Sequence, residues 1–203
     1  MGPHMKTREF RRLTLWVDHD RPTLSTLTDE QKVDYFRRRT SLVVLAPLAA
    51  LLATLRPKNK SSSPVLCFGT CACCAIEAFG RFQLGLSGSG YGRTCFDAFV
   101  GKFMHKDFGR RLHGEKYVDL LRDNFRNGLA HGLAIKWGGF HASKTAYFQT
   151  MTVGGTVQLE IDPEHFLGDL RQAVRAFVVT LTPGTTEFQD FETAFDKIWV
   201  QGL

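Results

Sequence analysis

Apolar residues recur every three or four positions along most of the chain, the spacing that predicts amphipathic helices. Thr28 and Gln31 have the spacing of a capping box, and the apolar pattern after them predicts a long first helix that reaches about Leu55. Pro47 interrupts this helix and is expected to kink it. Further helices are predicted from residue 65 to about 84, near residues 96–103, and from 116 to about 135.

Strict alternation replaces the helical spacing between residues 144 and 161. The segments "KTAYFQTMTV" and "TVQLEI" flank Gly154-Gly155, and this arrangement predicts a β-hairpin with a tight turn. Asp162 and Pro163 are suited to the N-cap and first turn of a following helix, which runs to about residue 181. Thr186 with Gln189 predicts the start of a last helix.

These elements predict the all-α class: a helical bundle of about six helices with a small late β-hairpin. Residues 1–5 ("MGPHM") look like an expression-tag remnant, and residues 6–203 are expected to form a single domain without repeat or linker. A hydrophobic fraction of 43% and a charged fraction of 23% are typical of a globular chain.

The charge balance favours an acidic partner without requiring one. There are 26 Lys and Arg against 20 Asp and Glu, a formal net charge of +6. Nucleic acid is one such partner, although each basic cluster alone is more typical of a solvated helix face. The N-terminus lacks a secretory signal, and the longest apolar run, residues 42–55, is shorter than the roughly 20 residues of a membrane span. We therefore expect a cytoplasmic protein without a membrane partner.

Four of the five cysteines lie in "CFGTCACC", residues 67–74. Cys67 and Cys71 are one helical turn apart, which is compatible with metal binding, but no second spaced pair or nearby histidine accompanies them. Small residues on a closely packed helix, with reduced thiols, explain the cluster better. The glycine-rich "GLSGSGYG", residues 85–92, lacks the Gly-Lys-Ser/Thr ending of a phosphate-binding loop and is interpreted as a connector.

The segment "LRDNFRNGLAHG", residues 121–132, carries an unusual set of polar residues on a predicted helix. Arg126 and His131 lie at the two edges of its polar arc, roughly 140° apart at about 100° per residue. Asn127 lies one turn before His131 and can orient the imidazole or bond a neighbouring helix. An arginine that binds phosphate and a histidine that moves a proton suit metal-free cleavage of RNA, whose 2′-hydroxyl supplies the nucleophile. A structural helix cap by the same two residues is the alternative.

The setting of this motif, "FRNGLAHG" after a helix that carries "IEAFGRF", resembles the R-N-x-x-x-H signature of the HEPN superfamily over roughly residues 65–181. The resemblance implies a helical domain over residues 6–203 that dimerises through the motif helix, so that two Arg-His pairs share one cleft. Active members are metal-independent ribonucleases without a cofactor, often toxins or defence effectors with an antitoxin partner.

Transferred to this chain, the resemblance makes Arg126 and His131 the catalytic pair, with Asn127 beside the arginine. Glu77 resembles a supporting acidic residue of some members, and it is also a candidate partner for Arg126 in a purely structural ion pair. Basic Arg122 and Lys136 flank the motif and are the predicted RNA-binding residues.

Two features limit the resemblance. Members that a nucleotidyltransferase silences carry a tyrosine shortly after the motif histidine, where this chain has Leu133 and Ala134, so control by nucleotidylation is not expected. Many relatives also lack activity, and a non-catalytic HEPN-like module that binds RNA, a nucleotide or a protein partner is therefore the alternative function.

Overall fold

The computed structural model describes residues 24–54, 63–123, 138–140 and 146–202, and within these residues the chain is mostly helical with two small sheets. The predicted predominance of helix and the late hairpin are confirmed. The sheets contain more strands than the hairpin alone, so the described part of the chain has more β-structure than the sequence pattern predicted.

The first helix, α1 (Asp29–Arg39), begins at the predicted capping box. The amide of Gln31 donates to the Thr28 hydroxyl, and the amide of Thr28 donates to Gln31 Oε1 at 2.9 Å. A π-helical turn (Thr40–Leu45) joins α1 to α2 (Ala46–Thr54). Pro47 has no amide hydrogen, and its ring conflicts with the carbonyl four residues earlier. The wider, π-helical turn directly before Pro47 accommodates this residue within the helix.

Helices α3 (Ser63–Leu84) and α4 (Gly92–Phe103) follow and pack closely on each other. A short 3₁₀ turn (Ser89–Tyr91) in the glycine-rich connector leads into α4. The closest approach of the two helices is at Gly80, where an added Cβ would lie 1.9 Å from the carbonyl oxygen of Cys95. Only glycine allows this contact.

Between α4 and the hairpin lie a 3₁₀ turn (Lys106–Gly109), a short antiparallel pair, β1 (Arg111–Leu112) and β2 (Glu115–Lys116), and helix α5 (Tyr117–Arg122). The predicted hairpin is present as β4 (Phe148–Val153) and β5 (Thr156–Ile161), closed by Gly154 and Gly155 with φ of 56° and 80°. Strand β3 (Gly138–Phe140) pairs in parallel with β5 and was not predicted.

The last two helices are α6 (Pro163–Thr180) and α7 (Thr186–Phe195), followed by a second π-helical turn (Asp196–Val200). Asp162 is the N-cap of α6, as predicted, and its carboxylate accepts from the amide of His165 at 2.8 Å. The N-cap of α7 is Thr185, whose hydroxyl accepts from the amide of Phe188 at 3.2 Å. The predicted position, Thr186, is one residue too late.

Aromatic side chains dominate the core. Phe36 of α1 is fully buried, and its ring lies 5.0–6.2 Å, centroid to centroid, from five aromatic rings on the surrounding helices: Phe79, Phe82, Phe177, Phe191 and Trp199. Lys32 adds an ion pair between the first and last helices, because its Nζ lies 2.6 Å from Glu192 Oε1 and 3.3 Å from Asp196 Oδ1. No helix of the described residues combines the length and apolar character needed to cross a bilayer.

Candidate functional site

The motif residues Arg126, Asn127 and His131, together with Lys136, lie outside the described residues. Their predicted roles, and the shared cleft between two copies, therefore stay predictions. The described structure does show how the chain enters the motif, because α5 ends at Arg122, four residues before Arg126.

Helix α5 is fixed at its start and along its inner face. The amide of Tyr117 donates to the carbonyl of Arg110 at 2.9 Å, and the buried Tyr117 ring lies 5.5 Å from that of Phe148 on the hairpin. Leu121 is 1% exposed, and its carbonyl accepts a long hydrogen bond, 3.9 Å, from the Cys73 thiol of α3. The segment that leads into the motif is thus held by both the hairpin and α3.

Arg122 is the most extensively paired cation of the described residues. Its guanidinium lies 2.9 Å from Asp97 Oδ1, 2.9 Å from Asp119 Oδ1 and 3.2 Å from Asp123 Oδ1, and its side chain is only 4% exposed. These contacts use Nη1, Nη2 and Nε in turn, so the donors point at protein carboxylates. RNA binding by Arg122, predicted from the sequence, gains no support from these contacts and stays a prediction.

The carboxylates also determine the protonation of this arginine. Burial by itself would lower the pKa of Arg122, but the hydrogen bond from its guanidinium to Asp119 and the charges of Asp123 and Asp97 outweigh burial and raise the pKa. The guanidinium is therefore a permanent cation that anchors the end of α5.

A cavity of about 390 Å³ lies beside this cluster, between α4, the 3₁₀ turn and α5. Its wall includes Arg93, which is 71% exposed and pairs with the same Asp97 and Asp119 that hold Arg122. Lys106 and Lys116 complete its basic rim. The sequence did not reveal this group, because Arg93 and Asp97 precede Asp119, Arg122 and Asp123 by 22–30 residues and meet them only through packing of α4 against α5.

Glu77 lies on α3, one turn after Cys73, and therefore on the side of α3 that contacts α5. Its Oε1 accepts a hydrogen bond from Arg81 Nη2 at 2.7 Å, and both side chains are less than one-fifth exposed. Helical i,i+4 spacing explains this pair. The predicted contact between Glu77 and Arg126 involves a residue outside the described part and stays a prediction.

Three described histidines occupy structural positions. His105 Nδ1 accepts from the amide of Asp107, His113 forms the β1–β2 turn with φ of 53°, and His165 Nδ1 lies 2.9 Å from the buried Asp162 carboxylate. Among the described residues no three His, Cys, Asp or Glu side chains are grouped to hold a metal ion, and all five cysteines are free thiols.

A second polar group joins the hairpin to α6 and was also missed. The phenol of Tyr147 donates to Asp169 Oδ2 at 2.9 Å, and the same oxygen accepts from the amide of His105 at 3.0 Å. Burial, followed by the negative charge of Asp169, raises the pKa of the Tyr147 phenol. These hydrogen bonds link the start of the hairpin, α6 and the residue before the 3₁₀ turn. The three residues are too far apart in sequence for a pattern to reveal them.

The chain matches no protein-family model, no curated protein and no solved structure. Any functional assignment therefore depends on the residues of the chain itself and on the contacts described above.

Proposed function

We propose that this protein is a metal-independent endoribonuclease of the HEPN type that cleaves single-stranded RNA through attack by the 2′-hydroxyl. The observation that carries the proposal is the motif "FRNGLAHG", with Arg126, Asn127 and His131 on one predicted helix. The described elements support it indirectly: the helix that carries Glu77, an aromatic helix, the start of the motif helix, a hairpin and an apolar helix follow one another in the order that the resemblance implies.

The chemistry needs a base, an acid and an anion-binding group. The His131 imidazole accepts the proton of the 2′-hydroxyl while the 2′-oxygen attacks phosphorus, and the bond from phosphorus to the 5′-oxygen breaks. The protonated His131 then gives that proton to the leaving 5′-oxygen, and Arg126 binds the non-bridging oxygens, where negative charge develops. The products are a 2′,3′-cyclic phosphate and a 5′-hydroxyl.

The proposal places two Arg-His pairs in one cleft of a homodimer. Asn127, one turn before His131, holds the imidazole in the tautomer that accepts the proton. Lys136 and the net charge of +6 attract the RNA backbone. The Arg122 carboxylate cluster holds the helix that leads to the motif, so its part in this scheme is to position the catalytic pair.

The test incubates labelled tRNA and mRNA with wild-type protein, Arg126→Ala and His131→Ala in EDTA. We expect cleavage by the wild type, with cyclic-phosphate and 5′-hydroxyl ends, and a loss of about a hundredfold or more in each variant with unchanged thermal unfolding. Arg171→Ala is the matched control, because Arg171 is exposed and lies far from the motif in sequence.

Four other results would contradict the proposal or support an alternative. Cleavage that EDTA abolishes, or that survives both motif substitutions, contradicts the proposal. Loss of folding in both variants assigns Arg126 and His131 a structural role. Binding of RNA by the wild type without any product supports the alternative, a non-catalytic HEPN-like module.

A further inference from the structure

A cavity of about 460 Å³ opens on the side of the protein formed by α1, α3 and the C-terminal π-helical turn. Its walls are mainly aromatic and aliphatic side chains, among them Phe36, Phe79, Phe82, Trp199, Val43 and Ile198, and we call it the aromatic pocket. The volume falls in the range of about 300–1,000 Å³ that is typical of small-molecule sites. Of the described residues, none that is assigned to RNA cleavage lines this pocket.

Two π-helical turns border this pocket. Thr40, Val43 and Val44 belong to the turn Thr40–Leu45, whereas Ile198 and Trp199 belong to the turn Asp196–Val200. π-Helical turns within α-helices are rare overall, but those that occur are often at functional sites. The wider turn changes the direction of the side chains that follow it. Here both turns contribute side chains to the lining of one pocket.

Arg39 is a cation in the lining of this pocket. The Arg39 guanidinium lies 5.5 Å from the centroid of the Trp199 ring, and its Nη1 donates to the Tyr35 hydroxyl at 3.2 Å. No carboxylate of the described residues lies within 4.0 Å of it, which distinguishes it from Arg81, the other arginine of the pocket, whose partner is Glu77. Arg39 thus retains donors for an outside anion.

We propose that the aromatic pocket binds a small amphipathic anion: a planar apolar body that enters between the rings, with a carboxylate or sulfonate group bound by Arg39. The apolar walls favour burial of a ring system, and offset or edge contacts with Phe82 and Trp199 add to that burial. A neutral apolar molecule would cover the guanidinium without giving it an acceptor. An anionic group satisfies it through a charge-assisted hydrogen bond.

Two fluorescent probes that differ by one charged group test this proposal. Anilinonaphthalenesulfonate carries the anion, and N-phenylnaphthylamine has the same ring system without the sulfonate. We expect the wild type to bind one sulfonate probe per chain, more tightly than the neutral probe. Arg39→Gln weakens the sulfonate probe by about tenfold and leaves the neutral probe unchanged, since the lost contact is a charge-assisted hydrogen bond. Arg171→Gln, at an exposed position of α6, is the matched control.

A second pair of variants tests the location. Val43→Trp places a large side chain at the pocket wall and is expected to abolish binding of both probes, whereas Val179→Trp, at a residue 79% exposed on α6, leaves both unchanged. Thermal unfolding confirms that each variant is folded, and the neutral probe reports whether Arg39→Gln keeps the pocket intact. Equal affinities for the two probes in the wild type, or sulfonate binding that survives both Arg39→Gln and Val43→Trp, overturns the proposal.

Discussion

Arg122 and Arg93 share two carboxylates but differ in exposure. Arg122 is a buried, structural cation, whereas Arg93 lies at the surface. The Arg122 side chain is 4% exposed and that of Arg93 is 71% exposed. We expect Arg122→Leu to reduce the free energy of unfolding by about 2 kcal/mol. The substitution removes three charge-assisted hydrogen bonds of a buried guanidinium and leaves three partly exposed carboxylates to repel one another.

Arg93→Leu is the matched control for that prediction. It removes a cation from the same Asp97 and Asp119, but from the solvent side, and is expected to cost less than about 1 kcal/mol. Urea unfolding of both variants measures the difference. Equal losses would mean that the three carboxylates hold Arg122 no more firmly than an exposed pair.

Tyr147 should give the protein a distinct response to alkaline pH. Its folded-state pKa is raised above the ordinary value of 10.0, so the phenol stays protonated in the folded chain while it ionises in the unfolded one. The stability that this group contributes is therefore fully present below about pH 10 and is lost as the pH rises further.

Phenolate absorbance of the wild type and Tyr147→Phe provides the measurement. The substitution should leave the absorbance gained near pH 10 unchanged and reduce only the part that accompanies unfolding. A smaller gain near pH 10 in Tyr147→Phe would show that this phenol ionises in the folded protein.

At the scale of elements, the contact between α3 and α4 depends on a residue without a side chain. A Cβ at Gly80 would meet the backbone of Cys95, which cannot move without displacing α4. Gly80→Ala is therefore expected to destabilise the protein by about 3 kcal/mol or more, despite the better helix propensity of alanine. Gly168 lies on α6, and a Cβ added there would have no atom within 4 Å. Gly168→Ala should therefore be neutral or stabilise the protein by up to about 1 kcal/mol. Thermal unfolding of the two variants, compared with the wild type, checks both expectations.

Local signals explain which elements were predictable from the sequence. The capping box at Thr28, the N-cap at Asp162 and the Gly154-Gly155 turn each act within four residues, and all three are present. Strand β3 was not predictable, because three residues show no period and their parallel partner β5 is about 20 residues away. The shift of the last N-cap from Thr186 to Thr185 reflects two adjacent threonines with the same chemistry.

At the scale of the whole molecule, the sequence predicted candidate chemistry within one helix and missed polar groups assembled from several elements. Arg126, Asn127 and His131 were selected because helical spacing relates them directly. The Arg122 cluster, the Tyr147–Asp169 contact and the aromatic pocket each combine elements more than 20 residues apart. Such groups form only when packing brings the elements together, and no pattern of spacing records that packing.

The proposed dimer predicts that two inactive variants can restore activity when they are combined. If two Arg-His pairs share one cleft, a mixed dimer of Arg126→Ala and His131→Ala chains still has one arginine and one histidine there. We expect each variant alone to be inactive, and activity to return in part after the two are mixed and allowed to exchange subunits, since about half of the dimers are then mixed. Mixing Arg126→Ala with the double variant Arg126→Ala/His131→Ala is the control, because no cleft then contains an arginine. If mass spectrometry verifies subunit exchange and no activity returns, that result contradicts the shared cleft. Cleavage by each copy on its own would then still be compatible with the proposed chemistry.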